Sequence, residues 1–78
     1  MAHAVKIPVE KSDAIYQSLS YSQAEAAAGI VQLNGYRCNS ISKFKPLILD
    51  RGYHLICNNW QYSYTIKDKG GKMIVEVE

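Results

Sequence analysis

Two cysteines and one internal histidine are the residues of this chain best suited to chemistry. Cys38 and Cys57 are the only cysteines among the 78 residues. A disulfide is compatible with the pattern if the two lie on neighbouring strands and both face inward. The alternative is two buried free thiols that act as small hydrophobic groups. Since C-x-x-C spacing is missing and only His3 and His54 could join them, neither a metal site nor a redox dithiol is expected.

His54 is the only internal candidate for a general base. That role needs a nucleophile and an orienting carboxylate close by. Asp50 is near in sequence, but there is no nucleophile elbow and no glycine-rich oxyanion loop. Gly70-Gly71 matches no phosphate-binding loop. We therefore predict no catalytic residue, no metal and no cofactor, and expect that the protein is not an enzyme; a thiolate nucleophile at either cysteine is the competing hypothesis.

Size and composition favour a single globular domain. Hydrophobic residues make up 47% and charged residues 21% of the chain, with a net charge of +2. So short a chain builds a small core that leaves little room for a deep pocket, which favours surface binding. No apolar run approaches the roughly 20 residues of a membrane span. Met1–Pro8 lacks the apolar stretch of a signal peptide, so we expect a cytoplasmic protein, with the periplasm as the alternative.

One helix is predicted over Ser22–Asn34. Ser22 and Glu25 have the spacing of a capping box, and alanines follow them. Asn34-Gly35 is a typical helix stop. Residues 1–21 are expected to form an N-terminal arm or a short helix, with an edge strand over Ala4–Val9 as a further option, and residues 22–78 a single α+β domain.

Strands are predicted after the helix, because short apolar segments alternate with turn residues. The first is expected over Tyr36–Ser42 and another over Tyr53–Cys57. Phe44–Leu49 contains Pro46 and is either a short edge strand or a bridging segment. The order predicts an α+β fold, with an antiparallel sheet of three to four strands and one main helix packed on one face.

The last nineteen residues, 60–78, predict a β-hairpin. Trp60, Tyr62 and Tyr64 alternate with polar residues, and Gly70-Gly71 supplies the turn. The aromatic row is expected to pack under the helix. The alternative is a partly open face that presents tyrosines to a partner.

Three segments carry a resemblance to known proteins. They are Gly35-Tyr36-Arg-Cys38-Asn-Ser40, Gly52-x-x-x-x-Cys57-Asn58 and Tyr62-x-Tyr64-x-Ile66-x-Asp68-x-Gly70-Gly71. Over residues 24 to 77 the chain resembles small uncharacterised bacterial α+β proteins with a similar pattern. Many of those are exported, which implies a Cys38–Cys57 bridge. In size and in its lack of catalytic motifs the chain is also similar to small phage-encoded inhibitors, such as anti-CRISPR proteins.

Surface binding to a protein partner is the function that we predict from these features. The chain would be a non-enzymatic interaction module, such as a phage-encoded inhibitor of a host complex. A nucleic-acid-binding module and an exported, disulfide-stabilised envelope protein are the alternatives, and a homodimer is compatible with the sequence. The residues expected to contact the partner are exposed tyrosines and cations: Tyr36, Arg37, Lys43, Lys45, Arg51 and Tyr53.

Overall fold

The computed structural model describes residues 7–78, which form one helix and one four-stranded antiparallel sheet. The elements in chain order are α1 (Tyr21–Leu33), β1 (Ile41–Pro46), β2 (Gly52–Cys57), β3 (Tyr62–Lys69) and β4 (Lys72–Val77). The strands lie in the sheet in the same order as in the sequence. The predicted α+β fold, with one main helix on a sheet of three to four strands, is confirmed.

Helix α1 begins earlier than predicted. Its N-cap is Ser20, whose hydroxyl accepts from the Gln23 amide at 3.2 Å, while the Gln23 side chain accepts from the Ser20 amide at 2.8 Å. The capping box expected at Ser22 and Glu25 was therefore wrong. The sequence contains two overlapping S-x-x-[E/Q] patterns, and the earlier one adds half a turn to the helix.

The core lies between α1 and one face of the sheet. Small side chains of the helix meet large ones of the strands, which lets the helix axis approach the sheet closely. The helix residues buried there are Ala24, Ala27, Ala28 and Val31. The largest buried strand residues are Ile41, Phe44, Leu55 and Ile66.

The first strand was predicted too early, since β1 begins at Ile41 and not at Tyr36. Polar groups of the preceding segment are already used by other partners. The amides of Asn39 and Ser40 donate to the Asn58 side-chain oxygen at 2.8 and 3.2 Å. With those amides turned toward a side chain, the segment cannot form a regular strand ladder.

Phe44–Leu49 is divided between two structures. Phe44, Lys45 and Pro46 complete β1, and residues 47–51 form the loop to β2. Gly52 then starts β2 with φ of 141°, where a Cβ atom would lie 2.0 Å from the Ile66 carbonyl oxygen. Only glycine permits this close approach of two backbones.

The final hairpin is formed by β3 and β4, with Gly70-Gly71 as its two-residue turn. Trp60 does not belong to it, contrary to the prediction. It lies in the β2–β3 turn with φ of 66°, and 60% of its surface is exposed. Tyr64 and Ile66 are buried on the helix side, as the alternation predicted.

The described part of the N-terminal arm, residues 7–20, forms turns and no helix. It runs parallel to β1 and bridges it at Val9–Ile41 and Ile15–Phe44. The short helix considered for this segment is not formed, because its backbone groups pair with the edge of β1 instead. The edge strand considered for Ala4–Val9 lies mostly outside the described residues.

Candidate binding surface

The face of the sheet opposite α1 is open to solvent and mixes charged with apolar side chains. The strand register aligns one row across all four strands, which consists of Lys45, His54, Thr65 and Glu76. Strand alternation places Lys43 on the same face as Lys45, and Lys67 next to Ile74. We call this surface the open face.

His54 lies on the open face and is held by Glu78. The His54 Nδ1 atom is 2.9 Å from Glu78 Oε2, and the Thr65 hydroxyl donates to the same oxygen. An activated nucleophile would need its hydroxyl to donate to the imidazole, not to the carboxylate. The three side chains therefore join β2, β3 and the residue after β4, and their order does not match a nucleophile–base–acid relay.

The β1–β2 loop exposes two large aliphatic side chains. Ile48 is 96% and Leu49 94% exposed. Next to them lies a groove of about 330 Å³ against the open face. Besides Ile48 and Leu49 themselves, the groove is lined by Lys45, Pro46, Leu47, Asp50, His54, Thr65 and Lys67. Protruding apolar side chains beside a groove rimmed by polar and charged residues are typical of a docking surface.

A polar cluster, the Glu10 cluster, joins the arm to β1 and to the β2–β3 turn. Glu10 Oε2 accepts from the hydroxyls of Ser40 and Ser42 at 2.5 and 2.7 Å. It also accepts from the Asn59 amide at 2.9 Å, and the Ser42 hydroxyl accepts from the Trp60 amide at 2.9 Å. Sequence reasoning missed this cluster, because Glu10 is thirty or more positions from both serines.

The Glu10 cluster stabilises an uncommon backbone. Asn58, Asn59 and Trp60 have φ of 56°, 53° and 66°, a region that non-glycine residues seldom adopt. The hydrogen bond from Ser40, then that from the Asn59 amide, lowers the pKa of Glu10 below its usual 4.5. A carboxylate with a lowered pKa is a weak general base at neutral pH. The arrangement fits a structural cap for the turn.

The two cysteines form a disulfide. Cys38, in the segment between α1 and β1, is bonded to Cys57 at the end of β2, and both are almost completely buried. The sequence left open a disulfide or two buried free thiols, and the structure contains the disulfide. Among residues 7–78, no group of three His, Cys, Asp or Glu side chains is placed to hold a metal ion. His3, also considered as a ligand, lies outside the described residues.

Three of the six residues predicted to contact a partner lie in β1 or in the β1–β2 loop. Lys43 and Lys45 project from β1 on the open face, and Arg51 follows in the β1–β2 loop. Lys45 and Arg51 are exposed, and Lys43 is half-buried. The structure therefore places three of the four predicted cations in β1 and the adjoining loop, with Lys45 nearer to the loop than Lys43.

The other three residues lie elsewhere. Tyr53 is on the helix side of β2, where its ring stacks on Phe44 with centroids 5.1 Å apart. Tyr36 and Arg37 follow α1 on the opposite side of the sheet from the open face. The Tyr36 ring lies 5.6 Å from that of Tyr64, whose hydroxyl donates to the Arg37 carbonyl. Burial raises the pKa of Tyr64, which therefore stays protonated as a donor.

Sequence reasoning also missed Ile48 and Leu49 as surface residues. Their aliphatic character suggested a strand or a bridging segment. One signal was present: Pro46 and Gly52 enclose only five residues, of which Asp50-Arg51 have turn character. So short a segment has no room for a strand of its own and must form a loop.

No protein-family model matches the chain, and neither a curated protein nor a solved structure matches it. The resemblance to small bacterial α+β proteins accordingly stays a prediction, as does the compartment. Within residues 7–78, no helix has the length and apolar character needed to cross a lipid bilayer.

Proposed function

We propose that this protein is a non-enzymatic interaction module that binds a protein partner through the β1–β2 loop and the adjoining open face. The exposure of Ile48 and Leu49, at 96% and 94%, is the observation that carries the proposal. Burying one such side chain is worth about 1.5–3 kcal/mol. The isolated fold leaves that free energy unused, and a partner that covers the loop recovers it.

The charges around the loop define the partner's chemistry. Neither Lys43 nor Lys45 forms an ion pair with a carboxylate in residues 7–78. Lys67, in contrast, is paired, with its Nζ atom 3.1 Å from Glu76 Oε1. A complementary surface presents an apolar pocket to Ile48 and Leu49 and carboxylates to the two unpaired lysines. A small inhibitor that blocks a host complex would act through a surface of this kind.

A protein partner fits the surface better than a nucleic acid. Base stacking needs exposed aromatic rings beside cations. Here Tyr53, Tyr62 and Tyr64 lie on the helix side of the sheet, and the open face carries Glu76 and Glu78. The concave groove beside the loop also suits a protruding side chain more than it suits a flat membrane surface.

The test compares two variants with equally exposed targets. Ile48→Ser combined with Leu49→Ser removes the apolar tip, and Leu33→Ser, at 89% exposed on α1, is the matched control. Proteins retained by the wild type and the control but not by the double variant are purified and titrated by calorimetry. We expect at least about a hundredfold loss of affinity for the double variant.

Two results would contradict the proposal. The first is a purified partner that binds the double variant as tightly as the wild type. The second is retention that depends on nucleic acid, seen as oligonucleotide binding that weakens steeply with salt. Binding of vesicles of anionic lipid, lost in the double variant and without any protein partner, would likewise overturn it in favour of a membrane surface.

A further inference from the structure

The outer edge of β4 is unpaired among the described residues. β4 is the last strand of the sheet, and only β3 lies beside it. Because Gly70-Gly71 is a two-residue turn, Lys69 and Lys72 form a hydrogen-bonded pair, and hydrogen-bonded and non-hydrogen-bonded pairs alternate along the hairpin from there. The Glu78 amide donates to the Ser63 carbonyl at 2.9 Å, as this alternation requires. The backbone N–H and C=O groups that point away from β3 are therefore those of Met73, Val75 and Val77.

The side chains along this edge are apolar and only partly covered. Met73 and Val77 are 37% and 57% exposed, and Val75 is half-buried. Their side chains point to the helix side of the sheet, next to Tyr64 and Ile66. An open strand edge with apolar side chains favours the addition of another strand.

We propose that β4 pairs antiparallel with β4 of a second copy of this chain, centred on Val75. Val75 then lies opposite Val75 of the other copy, and Met73 lies opposite its Val77. These are the residues whose outward N–H and C=O groups are free, so each such pair exchanges both hydrogen bonds. The two sheets join into one of eight strands with both helices on the same face.

Charge complementarity supports the second copy as the occupant. In this register Lys72 lies opposite Glu78 of the other copy, on the open face, and the twofold axis repeats the pair at the other end of the strand. Opposite charges directly across a strand pair are stabilising, and like charges are destabilising. A register shifted by two residues toward the turn places Gly71 opposite Val77 and Lys72 opposite Glu76, so the charges of β4 match those of a second copy in both alignments. The alignment centred on Val75 is the one that leaves Gly71 outside the strand pair.

The residues that carry the dimer differ from those that carry the protein-partner proposal. Ile48 and Leu49 lie in the β1–β2 loop, whereas the dimer uses the outer backbone of β4; only Met73, which lines a groove with Asp50 and Arg51, is close to that loop. Failure of either proposal therefore leaves the other intact. A dimer also presents two copies of the loop to a partner, which raises the apparent affinity for a multivalent target.

The test measures mass in solution by sedimentation velocity over a micromolar to millimolar concentration series. Val75→Pro removes an outward amide and leaves the bonds to β3 in place, while Val75→Thr keeps the amide as the matched control. We expect a concentration-dependent dimer for the wild type and for Val75→Thr, and a monomer with an unchanged circular dichroism spectrum for Val75→Pro. A wild type that stays monomeric throughout, or a dimer that Val75→Pro leaves intact, would overturn the proposal.

A charge swap tests the register. Lys72→Glu and Glu78→Lys each place like charges opposite one another at both ends of the strand pair, and each is expected to weaken dimerisation about tenfold. Combining the two restores opposite charges and is expected to recover most of the lost affinity; Glu78→Lys also removes the contacts of Glu78 with His54 and Thr65, which the combined variant does not restore. If the losses of dimer affinity caused by the two single substitutions add in the combined variant, the pairing centred on Val75 is incorrect. Binding of a peptide from another protein to the β4 edge of a monomeric wild type would also contradict the proposed dimer.

Discussion

The two edges of this sheet differ in how they are covered. Along β1, the arm makes four backbone hydrogen bonds of 2.8–2.9 Å, which join Pro8 and Glu10 to Ile41, and Ala14 and Tyr16 to Phe44. Along the outer edge of β4, the described residues provide none. One edge is thus sealed by the chain itself, and the other is available for pairing.

Burial follows the same difference. Ile41 and Phe44 of β1 are completely buried, whereas Met73 and Val77 of β4 remain 37% and 57% exposed. The disulfide and the Glu10 cluster also lie on the β1–β2 side. Interactions that stabilise the fold are therefore concentrated at the sealed edge, and the open edge contributes less to the free energy of unfolding.

Truncating one apolar side chain at each edge gives the largest expected effect. Phe44→Ala should lower the free energy of unfolding by about 3–5 kcal/mol, because it leaves a cavity beneath the arm. Val77→Ala should cost less than about 1 kcal/mol, since that side chain is already more than half exposed. Chemical denaturation of dilute protein with the disulfide intact measures both. Equal decreases in the free energy of unfolding for the two variants would show that both edges contribute equally to stability.

Proline substitution at each edge gives an intermediate effect. The Tyr16 amide donates to the Phe44 carbonyl at 2.8 Å, so Tyr16→Pro should cost about 1–3 kcal/mol by leaving that carbonyl without its donor. Val75→Pro in the monomer should cost less, because its amide points to solvent. Hydrogen exchange provides a second measurement: the Tyr16 amide should be protected, and the Val75 amide should exchange rapidly in dilute solution.

Removing the charge of Glu10 gives the smallest effect and one that depends on pH. Glu10→Gln should cost about 1–2 kcal/mol at neutral pH. Since hydrogen bonds lower the pKa of Glu10 in the folded state, its contribution is complete above about 4.5 and is lost as the pH falls through the lower folded value. The difference between wild type and variant should therefore shrink in acid.

Asp13→Asn is the control for this titration, because Asp13 is exposed and lies outside the Glu10 cluster. At neutral pH the variant should differ from the wild type by less than about 0.5 kcal/mol in free energy of unfolding. A constant difference between wild type and Glu10→Gln from pH 7 down to strongly acidic conditions would show that the Glu10 charge does not stabilise the sealed edge.

Local patterns were sufficient for the hairpin and less so for the helix start. The alternation of Tyr62, Tyr64 and Ile66 and the Gly70-Gly71 turn are short-range signals, and the structure has both. The capping box was placed two residues late, because two overlapping patterns are equally good locally. Trp60 was assigned to the strand because its residue type suits a strand, and only its positive φ excludes it.

Long-range contacts explain the remaining errors. Tyr36–Ser42 has the composition of a strand, but Asn58 takes two of its amides and the disulfide holds Cys38. The candidate binding surface was only partly predictable. Lys43, Lys45 and Arg51 lie in β1 and the adjoining loop, and their contact with a partner stays a prediction. Ile48 and Leu49 were not recognised as exposed.

The sequence by itself determined the class of fold, the number of main elements and the final hairpin, because hydrophobic periodicity and turn residues act over a few positions. Tertiary structure alone decided that the cysteines pair, that Glu10 caps a turn near residue 59, and that one edge of the sheet is sealed while the other is open. Those outcomes depend on which distant segments of the chain contact each other, and local sequence patterns do not predict such contacts. The physical reason is that they depend on contacts between residues far apart in sequence: 19 positions for the disulfide, 49 for the Glu10–Asn59 hydrogen bond, and the pairing of the arm with β1.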